Sequence, residues 1–160
     1  MREWLANNWI SILLGAIGAV PGWFIANWVG KPILDVREKR IKALQAAEQN
    51  AHVGFEASNE RIREARAALN EAASSLRSIS RGYGWPVRLY CWLAGYDLEA
   101  AANQLIALHN MAGDIVIGEG RQIALDAIYI FLRQQHLSRE RVAEVKTRIG
   151  LEKRLSEEKF

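Results

Sequence analysis

Four arginines on one predicted helix are the residues whose type and spacing best suit the binding of a charged group. The basic flank, as we call it, comprises Arg63, Arg66, Arg77 and Arg81. At about 100° per residue these side chains share one side of an apolar stripe. The acidic residues of the same helix, Glu60, Glu64 and Glu71, share the other side. Because a guanidinium can hold a phosphate with two hydrogen bonds, this separation by sign makes the basic flank a candidate binding site.

Three interpretations of the basic flank stay open. The first is a solvated helix face, which is the usual setting of charged residues. In the second, the basic flank of one subunit meets the acidic flank of the next, as flanking charges do in coiled coils. In the third, the arginines receive a phosphate-bearing small ligand or an oligonucleotide. The excess of 21 basic over 18 acidic residues is too small to favour bulk nucleic-acid binding.

The sequence contains no arrangement that predicts catalysis. His52, His109 and His136 stand far apart, and none lies at metal-ligand spacing from a cysteine or another histidine. Cys91 has no neighbouring feature that would activate a thiol, and no Ser/His/Asp arrangement stands out. We therefore expect a protein that is not an enzyme and that holds neither a metal ion nor a cofactor.

The basic flank requires a helix from about residue 58 to residue 81. Its apolar positions keep three- and four-residue spacing over about six turns, as in Ile62, Ala65, Leu69, Leu76 and Ile79. Ser58 or Asn59 can cap its start, and Gly82 follows its end.

Further helices are predicted on both sides of this one. One extends from residue 33 to about residue 50, and a short aromatic helix opens at Trp85-Pro86. Asp97 and Ser138 are placed to cap two more helices. No strand-like alternation occurs, so the sequence predicts an all-α compact helical bundle with one core.

The segment from Trp9 to Val29 contains no charged residue in 21 positions. At about 1.5 Å per residue it can cross a hydrocarbon layer of about 30 Å as one helix. Trp4, Trp9 and Trp28 flank it, where indole rings favour the membrane interface. A buried core helix or a cleaved signal peptide is the alternative, but the start is not clearly basic and the end lacks a small-residue cleavage site. The sequence thus predicts one N-terminal transmembrane helix.

Small residues recur along one side of this segment at three- and four-residue steps. The strip consists of Ser11, Gly15, Gly18, Gly22 and Ala26. In lipid, such a strip lets helix backbones approach closely. It predicts a homo-oligomer, with the strip either at the helix contacts or lining a narrow pore.

Two prolines predict interruptions of the helix. Pro21 removes a backbone hydrogen bond within the segment, so we expect a kink there. The residue before a proline disfavours helical dihedrals, so Gly30 and Pro32 predict a hinge where the chain leaves the membrane.

The distribution of basic residues predicts the orientation in the membrane. Only Arg2 precedes the segment, whereas five basic residues follow it closely: Lys31, Arg37, Lys39, Arg40 and Lys42. The positive-inside rule therefore places the N-terminus outside and the C-terminal part in the cytoplasm, where a single Cys91 agrees with reducing conditions. We expect residues 1–30 to hold the tail and span, 31–57 a membrane-proximal helix and hinge, and 58–160 the cytosolic helical domain.

Two pairs of segments carry a resemblance. They are Leu34-Asp35-Val36-Arg37-Glu38 with Ala51-His52-Val53-Gly54, and Gly95-Tyr96-Asp97 with Leu105-Ile106-Ala107-Leu108-His109-Asn110. Their order resembles that in an uncharacterised group of bacterial single-pass inner-membrane proteins, a resemblance that implies no catalytic residues. His109 stands where we expect a small polar residue. In architecture alone the chain is similar to the small membrane effectors of bacterial antiphage systems, which assemble and permeabilise the inner membrane.

Two functions follow as expectations. In the first, subunits assemble through the cytosolic helices and their spans form an ion-conducting pore, controlled through the helical domain. In the second, the span only anchors a helical scaffold or adaptor for a soluble protein partner. The lipid bilayer and further copies of the chain are partners in the first case.

Overall fold

The structure, a computed structural model, describes Ala19 and residues 21–114, 118–134 and 137–157. In these ranges the chain forms six α-helices and one π-helical turn, and it contains no strand. The helices are α1 Lys31–Asn50, α2 Asn59–Gly82, α3 Trp85–Ala94, α4 Leu98–Met111, α5 Gly118–Phe131 and α6 Arg139–Glu157. The predicted all-α compact helical bundle is confirmed for the described part of the chain.

Side chains cap the N-terminal ends of three helices, as the sequence predicts. Ser58 accepts a hydrogen bond from the backbone N–H of Arg61 (3.2 Å), and Asp97 accepts one from Ala100 (2.9 Å). Ser138 does the same for Arg141 (3.2 Å). Each cap satisfies a donor that has no partner within its own helix. At the C-terminal end of α3, Gly95 adopts a φ of +68°, the left-handed conformation that glycine tolerates.

The core forms where α2 packs against α4, α1 against α2, and α4 against α5. Its largest fully buried apolar side chains are Leu69, Leu76, Leu105, Ile128 and Leu132. Burial of each such side chain contributes about 1.5–3 kcal/mol. α6 makes a smaller apolar contact with α5 beside this core. There Val145 packs against Ile123 and Ala127.

The N-terminal part of the described chain is one continuous helical stretch. Residues 21–25 are helical, Ala26–Gly30 form the π turn, and α1 follows without a break. Residues 9–18 and 20 of the predicted span lie outside the described residues. No helix in the described ranges is both long enough and apolar enough to cross a membrane.

Candidate functional site

Pro32 accounts for the π turn between the apolar segment and α1. A proline inside a helix has no N–H, and its ring clashes with the carbonyl four residues back, here that of Trp28. The backbone N–H of Lys31 bonds to the carbonyl of Ala26, five residues earlier, which widens the turn at this point. The side chain of Asn27 donates to the carbonyl of Trp23 (2.8 Å), which supports the preceding turn.

The expected loss of helical dihedrals before Pro32 does not occur. Gly30 has φ −64° and ψ −54°, and Lys31 has φ −58° and ψ −51°, so both residues are helical. That prediction was wrong because the helix that continues on both sides overrides the local preference of the residue before a proline. Whether Gly30 and Pro32 act as a hinge stays a prediction, as does a kink at Pro21, which is helical in the structure.

The π turn decides which way the small residues face. In an uninterrupted α-helix, at about 100° per residue, Gly22 and Ala26 would lie on the side of Val36, which α1 buries in the core. The extra residue of the π turn rotates them by about 100°, to the side of Leu34 and Ile41. These four residues form what we call the outward face, on the side of the helix opposite the bundle.

Every residue of the outward face is exposed. Leu34 and Ile41, which are large and apolar, keep 62% and 50% of their surface accessible. A Cβ built on Gly22 or on Gly30 would meet no atom within 4 Å. The other small residues of the predicted strip, Ser11, Gly15 and Gly18, lie outside the described residues. Of the five residues in the predicted strip, the structure thus describes Gly22 and Ala26, and both lie on the outward face.

The basic flank contacts α4 within the same chain. Arg66 donates two hydrogen bonds to the carbonyl of Ala112 (3.1 and 2.8 Å). Arg77 donates to Asn103 (2.7 Å) and Arg81 to Glu99 (2.9 Å). A phosphate or an acidic neighbour at this flank would have to replace these bonds.

Arg63 stands apart from the other three arginines. It is exposed, and its Nε donates only to the carbonyl of Asn59 in its own helix (3.3 Å). The sequence places all four residues on one flank, and the structure brings three of them to α4. The basic flank therefore also holds α2 against α4 within one chain, a role that the spacing of the arginines did not indicate.

Several other arginines donate to carbonyls at helix ends, a pattern that the sequence did not reveal. These bonds are Arg61 to Gln49 of α1, Arg133 to Gly95 after α3, Arg121 to Met111 of α4, and Arg40 to Leu132 after α5. The last carbonyls of a helix lack partners and carry the negative end of its dipole, which a guanidinium complements. These four arginines thus join helices that lie far apart in the sequence.

An ion pair between a half-buried arginine and a buried carboxylate holds α6 against α5. The carboxylate of Asp126 is 2% exposed and accepts from Arg141 Nε (2.7 Å) and Gln122 Nε2 (2.8 Å). The bond to Asp126 is the main cause that raises the pKa of Arg141. Because a buried carboxylate without a partner is costly, this pair fixes the position of α6.

Two phenols bond to carboxylates of α1. Tyr129 donates to Glu48 (3.1 Å), and burial together with this bond raises the pKa of Tyr129 to about 12. Tyr83 donates to Asp35, and that bond raises the pKa of Tyr83. Both phenols stay neutral at physiological pH and tie neighbouring elements to α1.

Two of the clefts on the bundle surface lie next to elements already described. The larger, about 440 Å³, lies between the end of α5 and α6 and is lined by Tyr129, Arg133 and Lys146 among others. The smaller, about 280 Å³, lies between the π turn and the start of α3, where Trp28 and Trp85 both line it.

The residues considered for metal binding or nucleophilic chemistry make structural contacts where the structure describes them. His109 Nδ1 lies 2.9 Å from the carbonyl of Arg66, which is a structural contact. Burial raises the pKa of the Cys91 thiol, so it is protonated at neutral pH. In the described ranges, which exclude His136, no group of His, Cys, Asp and Glu side chains could hold a metal ion.

No known protein family matches the chain, and neither curated proteins nor solved structures show a significant similarity to it. The two resemblances noted in the sequence stay hypotheses.

Proposed function

We propose that this protein is a single-pass protein of the bacterial inner membrane whose copies associate through the outward face and permeabilise the membrane. One observation carries this proposal: the π turn aligns Gly22 and Ala26 with Leu34 and Ile41 on an exposed face. The small residues suit helix contacts in lipid, and the two large apolar residues suit contacts in water. One face thus supports association on both sides of the membrane boundary.

The continuous helix gives the helical domain a way to control the association of the spans. The stretch from residue 21 to Asn50 contains no coil, so a displacement of α1 is transmitted to the apolar segment. α1 in turn packs against α2 and is bonded to α5 through Arg40. A ligand or partner that shifts the bundle can therefore alter the association of the spans. This arrangement suits an effector that a second component switches, and by analogy an antiphage effector.

A membrane-anchored adaptor is the second candidate. The observation that favours it is the bonding of Arg66, Arg77 and Arg81 to α4, which leaves the basic flank less free for a neighbouring subunit or a phosphate. On this account the cleft of about 440 Å³ beside Arg133 and Lys146 is a place for a soluble partner. The adaptor needs the span and the bundle but no pore.

Topology is the first test of both candidates. A reporter fused after Phe160 should be protected from external protease on intact cells and cleaved after permeabilisation. Cleavage on intact cells would contradict the orientation and with it the cytoplasmic position of the bundle. Loss of membrane potential on expression then separates the pore from the adaptor, which predicts a normal potential.

A further inference from the structure

The outer side of α3 is apolar and uncovered. The aromatic face, as we call it, consists of Trp85, Leu89, Trp92 and Leu93, with 70%, 45%, 76% and 70% of their surfaces exposed. Their spacing places them on one side of the helix, opposite Val87, which is 3% exposed and belongs to the core. A soluble helix normally buries such a face and exposes its polar side.

The aromatic face lies at the end of the molecule where the apolar segment emerges. α3 contacts the π turn and α1, and Trp85 and Trp28 line one cleft. Of the eleven large apolar residues exposed in the described ranges, nine lie on α3 or between Trp23 and Leu34. The aromatic face is therefore continuous with the predicted span and with Trp28 at its end.

The charges around α3 are basic. The helix contains no acidic residue, and Arg88 on it is exposed. Lys31 and Arg37 on the neighbouring stretch are also exposed. Two carboxylates of α1 are engaged: Asp35 accepts from Tyr83, and Glu38 pairs with Lys42 (2.7 Å). Asp97, three residues after α3, caps α4. This distribution complements an anionic surface.

We propose that α3 lies on the membrane surface, with the aromatic face at the level of the lipid headgroups and Arg88, Lys31 and Arg37 near anionic phosphates. This inference rests on the proposed membrane location of the apolar segment. Tryptophan favours this level because its ring is apolar and its N–H stays hydrated. An amphipathic helix with such a face binds the interface through apolar burial and through attraction to anionic lipid.

A second copy of the chain suits the aromatic face less well than lipid does. Even with about 250 Å², the upper value for an aromatic side chain, assigned to each of the four residues, the exposed fractions offer at most about 650 Å² per copy. A stable interface buries about 800 Å² on each partner. The basic surroundings would also face each other across a symmetric contact, without acidic residues to pair with them.

Quenching by brominated lipids tests the position of α3 in the full-length protein. In a Cys91→Ser background, single cysteines replace Trp92 on the aromatic face, Ala19 in the apolar segment, and exposed Ala67 on α2. Each carries an environment-sensitive fluorophore, and the protein is reconstituted into vesicles of phosphatidylcholine and phosphatidylglycerol with brominated acyl chains. We expect strong quenching at positions 19 and 92 and none at position 67. A Leu89→Cys label repeats the measurement if Trp92→Cys does not fold.

The outcomes separate this inference from the proposed function. Quenching at position 19 alone overturns the placement of α3 and keeps the span. Quenching at neither position contradicts the span as well, whereas quenching at position 92 alone supports the surface helix and contradicts the span. Cross-linking of position 92 between copies, without quenching, would show that a second copy covers the face and would overturn the proposal.

The dependence of the position 92 quenching on lipid charge provides a second measurement with the same label. Arg88→Gln should weaken the dependence of the position 92 signal on phosphatidylglycerol, since it removes one of the three cations near α3. Arg139→Gln on α6, also exposed, is the matched control and should change nothing. Equal responses of the two variants would contradict the proposed role of Arg88.

Discussion

The backbone N–H of Lys31 donates to the carbonyl of Ala26, and this bond sets the direction in which the apolar segment faces the bundle. An α-helix would use the carbonyl of Asn27 instead. The difference of one residue turns Gly22 and Ala26 by about 100°. It moves them from the side of the core to the side of Leu34 and Ile41, where none of the described residues covers them.

Replacement of Pro32 by alanine should restore the ordinary helical bond and close the π turn, because alanine supplies the missing N–H and removes the ring. In a Cys91→Ser background, single cysteines at Ala26 and at Ile41 should both cross-link between copies of the wild type. In the Pro32→Ala variant only one of the two should do so. Pro86→Ala is the matched control, since a proline in the first turn of α3 displaces no helical bond. Cross-linking at both positions in Pro32→Ala would contradict the aligned face.

Gly22→Leu should weaken association in the membrane by about 1 kcal/mol per interface, because a branched side chain keeps the helix backbones apart. Phe24→Leu is the control, since it changes an apolar side chain on the other side of the helix. The measurement is the oligomer distribution in detergent and in vesicles. An unchanged distribution for Gly22→Leu would exclude the small residues from the interface.

The helix caps and the apolar stripes could be predicted from the sequence because they depend on residues close together in the chain. Ser58, Asp97 and Ser138 cap the backbone three residues ahead, which spacing alone indicates. The contacts of Arg66 could not be predicted, because Ala112 lies 46 residues away and is brought near only by packing of α2 on α4. The π turn at Pro32 could not be predicted, because the local preference of the residue before a proline indicates a hinge and not a wider helical turn.

Removal of the charge at Arg141 should loosen α6. Arg141→Met leaves the buried carboxylate of Asp126 without its cation, which costs about 3 kcal/mol in the free energy of unfolding. The control is Arg148→Met, whose partners Glu119 and Glu144 are well exposed, so its cost is below about 1 kcal/mol. Urea unfolding and hydrogen exchange of α6 amides measure the difference. Equal stability of the two variants would contradict the anchoring role of Asp126.

Tyr129 should make stability fall at alkaline pH. Its pKa in the folded protein is raised to about 12, above the usual value of about 10, so its contribution is fully present below pH 10. It is lost as the pH rises from about 10 to about 12, because the unfolded state releases the proton first. Tyr129→Phe should show a smaller loss over this window, and absorbance should report one fewer late-ionising phenol than in the wild type. The same slope in both proteins would contradict the raised pKa.

The most direct test of the central claim is ion flux across the membrane of vesicles that contain the purified full-length protein. If copies associate through the outward face into a pore, wild-type protein should release a trapped ion gradient, and Phe24→Leu should do the same. Gly22→Leu should insert equally, by the Ala19 quenching measurement, and release much less. Full insertion of the wild type with no flux, together with a normal membrane potential in expressing cells, would contradict the pore and leave the membrane-anchored adaptor.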